Sequence, residues 1–364
     1  MLLLSLLYIK SGKLVMGMEV IATRISQVGF IKINRPDVLN SIHLHAVEQI
    51  KQALDKWKED DDVAFVCLYG EGEKAFCAGG DMKHFYELER SDVHDYAKQF
   101  FTNEYELDYT IHTYPKPVVA YMNGIVMGGG VGLSIGATHR IVNEKTKWAM
   151  PEMNIGFFPD VGASYFLNQL PGYSGRYLAL TASVIGAADA LYAGVADYYI
   201  DSGDWESLKE AFVNEKWSRA SVHEELDRLL KSYHRTKEEP ARLKQHQAKI
   251  DAHFQYETVE AIVASLEGAK DDKWAEETLR TILTKSPTSL KVTLQQLIKG
   301  KEMSLKECLA MEKNLALHFM NSHDFYEGIR AVLVDKDRSP KWKPDRLEDV
   351  TASDVERFFT PFHE

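Results

Sequence analysis

Three glycine-rich segments hold the residues of this chain whose types and spacing could do chemistry. They are AFCAGGD at residues 75–81, NGIVMGGG at 123–130 and MPEMNIGFFPDVGASYFL at 150–167, and each follows an apolar, strand-like run. Loops at the carboxyl ends of neighbouring parallel strands lie at one edge of a sheet. Two such loops can aim two backbone N–H groups at one carbonyl oxygen, as in an oxyanion hole. Taken singly, each loop could equally be a tight turn.

The third segment also supplies two acids, Glu152 and Asp160. The prolines and glycines between them prevent one continuous helix, so both carboxylates could converge on one site. An acid beside an oxyanion hole can activate water, attack a carbonyl carbon or orient a partner group. The alternatives are two surface acids, where most Asp and Glu belong, and a metal-binding pair, which the lack of accompanying histidines disfavours.

A serine-hydrolase pattern, G-x-S-x-G, overlaps the second glycine segment and centres on Ser134. A nucleophile elbow needs a strand that ends just before the serine and a helix that starts just after it. Here the strand-like run PVVAYMNG ends about ten residues earlier, within the uncertainty of such boundaries. We therefore predict that Ser134 is a small residue inside a helix that packs on the sheet.

The composition indicates an ordinary folded protein of one large or two smaller domains, with 364 residues of which 45% are apolar. The net charge of −11 disfavours nucleic acid as a partner. Cys67, Cys77 and Cys308 lack the number and spacing of a disulfide framework or a metal site. We predict buried or idle thiols in a reducing compartment, with a reactive Cys77 as the less favoured alternative.

The apolar run at residues 2–9 is too short to span a bilayer. It also lacks the basic start and the small-residue cleavage site of a secretory signal. We therefore predict that residues 1–17 are a non-native or disordered extension, that no segment crosses a membrane, and that the protein is cytoplasmic.

The order of patterns along the chain indicates its fold class. Alternating apolar and polar residues between Glu19 and Asn34 predict a β-hairpin, and Ser41 is a candidate N-cap for the helix that follows. Strand-like runs then alternate with helical stretches, which predicts an α/β fold with a mostly parallel sheet. Charged, helix-favouring segments take over near the middle of the chain. We expect an α/β core at residues 18–202 and a mainly helical region at 203–364 that packs on it.

The two glycine loops together resemble the oxyanion-hole loops of the crotonase superfamily, which includes the enoyl-CoA hydratases and isomerases. The resemblance implies a crotonase-like ββα spiral core, an acyl-CoA substrate and no cofactor beyond the CoA of that substrate. The N–H groups of Gly80 and Gly129 would hold the thioester oxygen. Val38, in the segment NRPDVLNS, and Ala78 and Asp81 would contact CoA. Members often form trimers or hexamers, so a homo-oligomer is expected beside the alternative of a monomer.

Three segments narrow the resemblance to the 3-hydroxyisobutyryl-CoA hydrolases: residues 150–167, SPTSLKVTLQQL near residue 286, and HDFYEGIRAVLVDKDRSPKWKP from residue 323. The implied site comprises Glu104, Gly129, Glu152 and Asp160. Glu152 would attack the thioester or activate water, and Asp160 would hold the substrate hydroxyl or orient the water. Glu104 would line the acyl pocket and bond the hydroxyl. The implied reaction is hydrolysis of 3-hydroxyisobutyryl-CoA, as in valine degradation, with 3-hydroxypropionyl-CoA as a second substrate.

One position departs from the hydratase pattern and bears on the reaction. Typical hydratases carry a glutamate three positions after the oxyanion glycine, and this chain has Gly132 there. Hydration uses two glutamates on one water, and only Glu152 of that pair remains, which favours thioester hydrolysis. The alternatives are an enoyl-CoA hydratase, a serine esterase that uses Ser134 and, last, a non-catalytic binding protein of the same fold.

Overall fold

The computed structural model describes residues 18–88, 90–236, 240–269 and 271–363. The extension predicted at residues 1–17 lies outside these ranges. Within them the chain forms two sheets, one larger and one smaller. The strands are β1 (Val20–Ile25), β2 (Val28–Ile33), β3 (Phe65–Gly70), β4 (Ala75–Cys77), β5 (Val118–Met122), β6 (Ile125–Met127), β7 (His139–Val142), β8 (Lys147–Ala149) and β9 (Tyr198–Tyr199).

The larger sheet has the strand order β1-β2-β3-β5-β7-β9, and the smaller sheet has the order β4-β6-β8. β1 and β2 form the predicted antiparallel hairpin, in which Val20 pairs with Ile33 and Ile25 with Val28. All other neighbouring strands run parallel. Parallel strands are usually covered on both faces, and the continuous apolar run VVAYM of β5 is buried throughout.

A repeated connection places the glycine-rich segments side by side. Each of β3, β5 and β7 in the larger sheet is followed directly by a strand of the smaller sheet, β4, β6 and β8 respectively. Helices then lead the chain from β4 and β6 back to the larger sheet. This repetition is the predicted ββα spiral. The three glycine-rich segments therefore leave the smaller sheet at the same edge, where parallel strands end together.

The helices in the described residues are α1 (Leu44–Lys58), α2 (Met82–Glu87), α3 (Arg90–His112), α4 (Gly129–Ile135), α5 (Ala163–Phe166), α6 (Ser174–Thr181), α7 (Ala187–Ala193), α8 (Trp205–Asn214), α9 (Val222–Tyr233), α10 (Arg242–Phe254), α11 (Val259–Gly268), α12 (Lys273–Ile282), α13 (Pro287–Gly300), α14 (Leu305–Phe319), α15 (His323–Ile329) and α16 (Ala352–Phe359). Short 3₁₀ turns lie at Pro36–Val38, Glu152–Ile155, Leu167–Gln169, Ser202–Asp204 and Leu347–Asp349, and a π-helical turn at Arg330–Val334 continues α15. Across the described ranges, no helix has both the length and the apolar character needed to cross a membrane.

The start of α1 differs from the prediction. Ser41 is not its N-cap: His43 occupies that position, without a side-chain capping hydrogen bond. The residues before it instead bond the first glycine loop, where the Ile42 N–H donates to the Gly79 carbonyl oxygen at 2.9 Å. This tertiary contact overrides a local capping preference of about 1 kcal/mol.

Helices cover both faces of the larger sheet. On one face α8 and α9 pack over Phe65 of β3, whose ring lies 5.3 Å from that of Phe212 and 5.1 Å from that of Trp217. On the other face α1, α3 and the helices from α10 onward share one continuous hydrophobic core. Because this core draws on both parts of the chain, the division at residues 18–202 and 203–364 stays a prediction.

Helix α15, in the C-terminal half of the chain, packs closely on the 3₁₀ turn that begins with Glu152. A Cβ built at Gly328 of α15 would collide with the backbone of Ile155. We therefore expect Gly328→Ala to lower the free energy of unfolding by about 1–3 kcal/mol, the range for overpacked cores. Urea denaturation measures the change.

Gly268→Ala in α11 is the matched control, since a Cβ there meets no atom within 4 Å. This control should keep or raise stability, because alanine is the better helix former. Equal stability of both variants would mean that the packing of α15 on the turn does not require glycine.

Candidate active site

A glycine loop follows each of β4 and β6, which are parallel neighbours in the smaller sheet. The first loop leads into α2 and the second into α4. Gly79 has a φ of +102° and Gly128 a φ of +51°, conformations that residues with side chains rarely adopt. A Cβ at Gly79 would also lie 2.9 Å from the Met127 carbonyl oxygen. Both positions therefore require glycine for the backbones to come together.

The two loops approach each other closely through their backbones. A Cβ built at Gly79 would lie 3.3 Å from the Gly129 nitrogen, and one at Gly129 would lie 3.3 Å from the Gly80 nitrogen. The Gly129 N–H is the first of α4, a position without an acceptor inside the helix. Among the described residues no backbone oxygen accepts the Gly80 N–H, although the next N–H, of Asp81, donates to Ile42. Both N–H groups can therefore donate to one ligand oxygen.

The segment NRPDVLNS is fixed beside the first glycine loop by Asn40. The buried Asn40 amide donates to the carbonyl oxygens of Ala75 at 2.8 Å and Glu71 at 3.0 Å. Its φ of +55° is one that asparagine adopts more readily than most residues. The same segment leaves Val38 47% exposed, where a ligand can reach it.

Glu152 begins the 3₁₀ turn that follows β8, the third strand of the smaller sheet. Its carboxylate lies against the second glycine loop, because a Cβ built at Gly128 would be 2.7 Å from Glu152 Oε1. Glu152 Oε2 is buried and has no hydrogen-bond partner among the described residues. Burial raises the pKa of Glu152 well above its ordinary value, and the charge of Asp160 raises it further.

Asp160 lies in the loop after that turn and is buried. The Tyr105 hydroxyl, from α3, donates to Asp160 Oδ2 at 2.7 Å. Burial raises the pKa of Asp160 to about 7, although the Tyr105 hydrogen bond partly opposes the rise. Asp160 is therefore poised to change its protonation state near neutral pH.

Glu104 comes from α3 and reaches the second glycine loop from the other side. A Cβ at Gly129 would collide with Glu104 Oε1, so the carboxyl group lies directly over this glycine. Oε1 is buried without a partner among the described residues. Burial is the main cause that raises the pKa of Glu104, followed by the charges of Asp160, Asp108 and Glu152.

One cavity of about 570 Å³ brings the predicted site residues together. Those of its lining residues that the sequence predicted are Val38, Ala78, Gly80, Asp81, Glu104, Gly129, Glu152 and Asp160. The lining also includes Val332, Leu333 and Lys336, which the sequence did not single out. Paired backbone donors beside buried carboxyl groups suit chemistry at a carbonyl carbon. The role of each residue stays a prediction.

The family model for enoyl-CoA hydratase/isomerase matches residues 28–359. The chain belongs to the enoyl-CoA hydratase/isomerase family. The match spans both glycine loops, the two acids of the third segment and the C-terminal segment that closes the cavity. It confirms the family that the glycine loops indicated.

Individual relatives refine the match. A Danio rerio protein named mitochondrial 3-hydroxyisobutyryl-CoA hydrolase is 43% identical over 350 residues, covering 96% of this chain and 91% of its own. The structure of a carnitinyl-CoA dehydratase from Mycobacterium thermoresistibile has a TM-score of 0.87 at 36% identity, over 95% of this chain and 97% of that one. The structure of an enoyl-CoA hydratase from Rhodobacter sphaeroides 2.4.1 has a TM-score of 0.84 at 35% identity, over 94% of this chain and 98% of that one. The crotonase-like fold and the resemblance to 3-hydroxyisobutyryl-CoA hydrolases are confirmed.

The relatives contradict the predicted cytoplasmic location. Proteins of this family at 41–43% identity over most of the chain are named as mitochondrial. The cytoplasmic prediction rests only on missing signals. A missing signal is weak evidence, because targeting segments are read from their overall composition rather than from fixed residues.

Neither Ser134 nor Cys77 is placed as a nucleophile. Ser134 is fully buried inside α4, and its hydroxyl donates to the carbonyl oxygens of Gly130 at 2.9 Å and Val131 at 3.1 Å. Cys77 is buried, which raises the pKa of its thiol to about 12 and keeps it protonated. Cys67 and Cys308 are buried free thiols as well. The serine-esterase alternative therefore lacks a reactive hydroxyl.

Asp108 is a buried acid that the sequence analysis missed. Its carboxyl group lies against Gly132, where a built Cβ would be 2.7 Å from Asp108 Oδ2 and 2.8 Å from Oδ1. Neither oxygen has a hydrogen-bond partner among the described residues. Burial raises the pKa of Asp108 well above its ordinary value, and the charges of Asp160 and Glu312 add to the rise. Helical spacing could have revealed it, because Asp108 follows Glu104 by one turn of α3.

Because the pKa of Asp108 is raised, replacing this residue should increase the free energy of unfolding by an amount that depends on pH. We expect Asp108→Asn to raise the free energy of unfolding at pH 8 by about 1–3 kcal/mol, because asparagine keeps the shape and carries no charge to bury. A raised pKa means that the folded state holds the proton more tightly, so wild-type stability falls as the pH rises above the unfolded-state pKa. The gain should therefore be smaller at pH 5.

Urea denaturation at both pH values measures this difference. Asp95→Asn, at an exposed aspartate of the same helix, should show no gain at either pH. A gain of equal size at pH 5 and pH 8, or a loss at pH 8, would contradict the assigned cause.

Proposed function

We propose that this protein hydrolyses the thioester of 3-hydroxyisobutyryl-CoA to the free acid and CoA, with 3-hydroxypropionyl-CoA as a second substrate. One observation carries the proposal: Gly80 and Gly129, whose N–H groups have no acceptor in the described part of the chain, line the same cavity as the buried acids Glu104, Glu152 and Asp160. A carbonyl held by two N–H groups beside a carboxylate is set up for acyl transfer. The name of the Danio rerio relative supports the choice of substrate.

The oxyanion hole stabilises the negative charge that develops on the thioester oxygen. The thioester oxygen accepts hydrogen bonds from the Gly80 and Gly129 N–H groups and gains negative charge as a nucleophile adds to the carbon. In other enzymes the loss of one such donor costs about 3–4 kcal/mol of barrier. The loop conformations at Gly79 and Gly128 fix both donors before the substrate arrives, so little reorganisation is needed.

Glu152 acts next by one of two routes. In the first, its carboxylate adds to the carbonyl carbon, the C–S bond breaks, and water then hydrolyses the resulting anhydride. In the second, it takes a proton from water as the water oxygen bonds to the carbon, and it returns that proton to the CoA thiolate as the C–S bond breaks. Its raised pKa makes Glu152 a stronger base than an exposed glutamate.

Glu152 and Asp160 act as a pair, because the charge of Asp160 raises the pKa of Glu152. A coupled pair of this kind shares one proton over a range of pH. Asp160 gives up its proton first, because its own pKa rises only to about 7 and its charge then raises the pKa of Glu152 further. We therefore expect turnover to increase with pH, because Glu152 attacks the carbonyl carbon or takes a proton from water only in its ionised form.

Glu104 supplies the preference for a hydroxylated acyl group. Its Oε1 is buried next to Gly129 and lacks a partner among the described residues. A buried polar atom without a partner costs free energy, and a substrate hydroxyl would supply the missing hydrogen bond. Its raised pKa favours the protonated form of Glu104, which can donate to that hydroxyl as well as accept from it.

Hydration of an enoyl-CoA is the second candidate, because the similar solved structures carry dehydratase and hydratase names. Gly132 argues against it, since the second glutamate of that chemistry has no counterpart there. Asp108 occupies the adjacent space but lines a separate cavity of about 170 Å³ rather than the one that holds the oxyanion glycines. An acid that faces away from the substrate does not replace the missing glutamate.

Release of free thiol tests the proposed function directly. A thiol-reactive dye follows 3-hydroxyisobutyryl-CoA beside crotonyl-CoA, each with the wild-type protein. Rapid thiol release from the first substrate alone supports hydrolysis. Loss of the enoyl absorbance of crotonyl-CoA, with no thiol released from 3-hydroxyisobutyryl-CoA, would identify a hydratase and overturn the proposal.

Replacement of the proposed base should abolish turnover without abolishing binding. We expect Glu152→Gln to lower kcat by about 10²–10⁴-fold, the range for loss of a general base, because the amide keeps the shape but accepts no proton. Glu106→Gln, at an exposed glutamate of α3 that pairs with Lys51, is the control and should keep wild-type turnover. Normal turnover of the Glu152 variant would remove Glu152 from the mechanism.

The acyl pocket should favour substrates that carry the hydroxyl group. We expect kcat/KM for 3-hydroxyisobutyryl-CoA to exceed that for isobutyryl-CoA by about 10²-fold or more, because the second leaves buried polar groups unpaired. Loss of one methyl in 3-hydroxypropionyl-CoA should matter less, about 10-fold. Thiol release with the three esters in parallel measures both ratios, and equal rates with and without the hydroxyl would contradict the role of Glu104.

Further parts of the proposal follow from the same family. The reaction needs no cofactor beyond the CoA of its substrate, and neither nucleic acid nor a membrane is a partner. The names of the relatives favour a mitochondrial location. A trimer or hexamer is the expected assembly, with the monomer as the alternative, and light scattering of the purified protein decides between them.

A further inference from the structure

The active-site cavity has acids at its buried end and a lysine at its exposed rim. Glu104, Glu152 and Asp160 are buried, whereas Lys336 is exposed and lines the same cavity. Lys83 also lines the rim but pairs with Glu87 at 3.3 Å. No ion pair joins Lys336 to another described residue, so its charge is available to a ligand.

Lys336 stands between two aspartates that the same arginine holds. Arg330 Nη1 donates to Asp335 Oδ2 at 2.6 Å and to Asp337 Oδ2 at 2.7 Å. The rest of the guanidinium donates to both carboxylate oxygens of Glu327 at 2.9 Å. The two acids that flank Lys336 are thus directed to Arg330 and do not neutralise the lysine.

Backbone hydrogen bonds also fix the turn at residues 330–338, which carries Lys336. Lys336 has a φ of +58°, a left-handed conformation that costs free energy in any residue with a side chain. The turn is closed by the Asp335 N–H, which donates to the Arg330 carbonyl oxygen at 2.8 Å, and by the Arg338 N–H, which donates to Ala331 at 3.0 Å. A strained position held by this many contacts is a place to look for function.

We propose that Lys336 binds the phosphate groups of the CoA moiety and that Arg330 is the positioning residue that holds it at the rim. This inference rests on the proposed function, because the acyl-CoA substrate supplies the phosphates. The buried acids disfavour an anionic group at the inner end, so the substrate enters with its acyl group first and its phosphates remain at the rim. In a chain with a net charge of −11, such an anion needs a local cation.

Two substrates that differ in their phosphates test the role of Lys336. They are 3-hydroxyisobutyryl-CoA and the N-acetylcysteamine thioester of the same acid, which has no phosphate. We expect Lys336→Gln to raise KM for the CoA ester about tenfold, as for loss of one charge-assisted hydrogen bond. The kcat for the CoA ester and kcat/KM for the short thioester should change less than about twofold, since neither depends on binding the phosphates.

Lys341→Gln is the matched control, because Lys341 is an exposed lysine of the same segment that does not line the cavity. It should leave KM for both thioesters unchanged. Added NaCl should raise KM of the wild-type protein for the CoA ester, and should raise that of the Lys336 variant less, because salt screens an exposed charge pair.

Arg330→Lys tests the positioning role, since a lysine keeps the charge but cannot bridge several carboxylates in the way that a guanidinium does. It should raise KM for the CoA ester, with kcat and the short thioester little affected. A merely structural role would instead lower kcat with both substrates.

Two results overturn the inference: an unchanged KM for the CoA ester in Lys336→Gln, or an equal rise in KM for both thioesters. Calorimetric binding of free CoA to the wild-type protein and the Lys336 variant separates this failure from failure of the proposed function. CoA that binds the variant about tenfold more weakly, in a protein that releases no thiol from either ester, would support the phosphate site and refute the hydrolase.

Discussion

The close approach of two backbone loops is the constraint on which the rest of the site depends. Gly79 and Gly128 adopt conformations closed to most side chains, and the parallel pairing of β4 with β6 brings them together. The N–H groups of Gly80 and Gly129 belong to the backbone, so their spacing is set by strand pairing rather than by any side chain. The spiral connection between the two sheets contributes to the same arrangement, because it brings each glycine-rich segment to one edge of the smaller sheet.

A second constraint follows from the number of buried acids around that edge. Glu312 of α14 is buried with the others but is fully partnered, since it accepts from the Gly162 N–H at 2.7 Å, the Ser164 N–H at 2.8 Å and the Ser164 hydroxyl at 2.6 Å. It thereby ties the loop after Asp160 to the C-terminal helices. Burial raises the pKa of Glu312 to about 8 even so. The C-terminal region thus holds the loop that follows Asp160 in place.

The sequence predicted the parts of the site that depend on local patterns. Glycine pairs after strand-like runs and acids between prolines mark positions where the backbone must turn, and those signals are local. The family resemblance also singled out the segment that starts at residue 323. It did not predict that Lys336 of this segment lines the cavity. Such contacts depend on how distant helices pack, which no single stretch of sequence encodes.

The wrong prediction at Ser41 and the missed residue Asp108 also reflect contacts between segments that are distant in the sequence. Ser41 has the residue type of a cap but is displaced by hydrogen bonds to a loop that lies much later in the chain. Asp108 resembles many charged residues on a long helix, and only the structure shows that its carboxyl group fills the space beside Gly132. Local preferences are weak compared with tertiary contacts, so they fail where two distant segments meet.

The contact between Asp108 and Gly132 limits how this active site could have diverged from that of a hydratase. A side chain at position 132 would meet the Asp108 carboxyl group at its first carbon. A glutamate there would require a residue other than an acid at position 108, because two carboxylates would otherwise share one buried space. Positions 108 and 132 are therefore coupled through one shared space, so the residue at either position limits which side chains the other can hold.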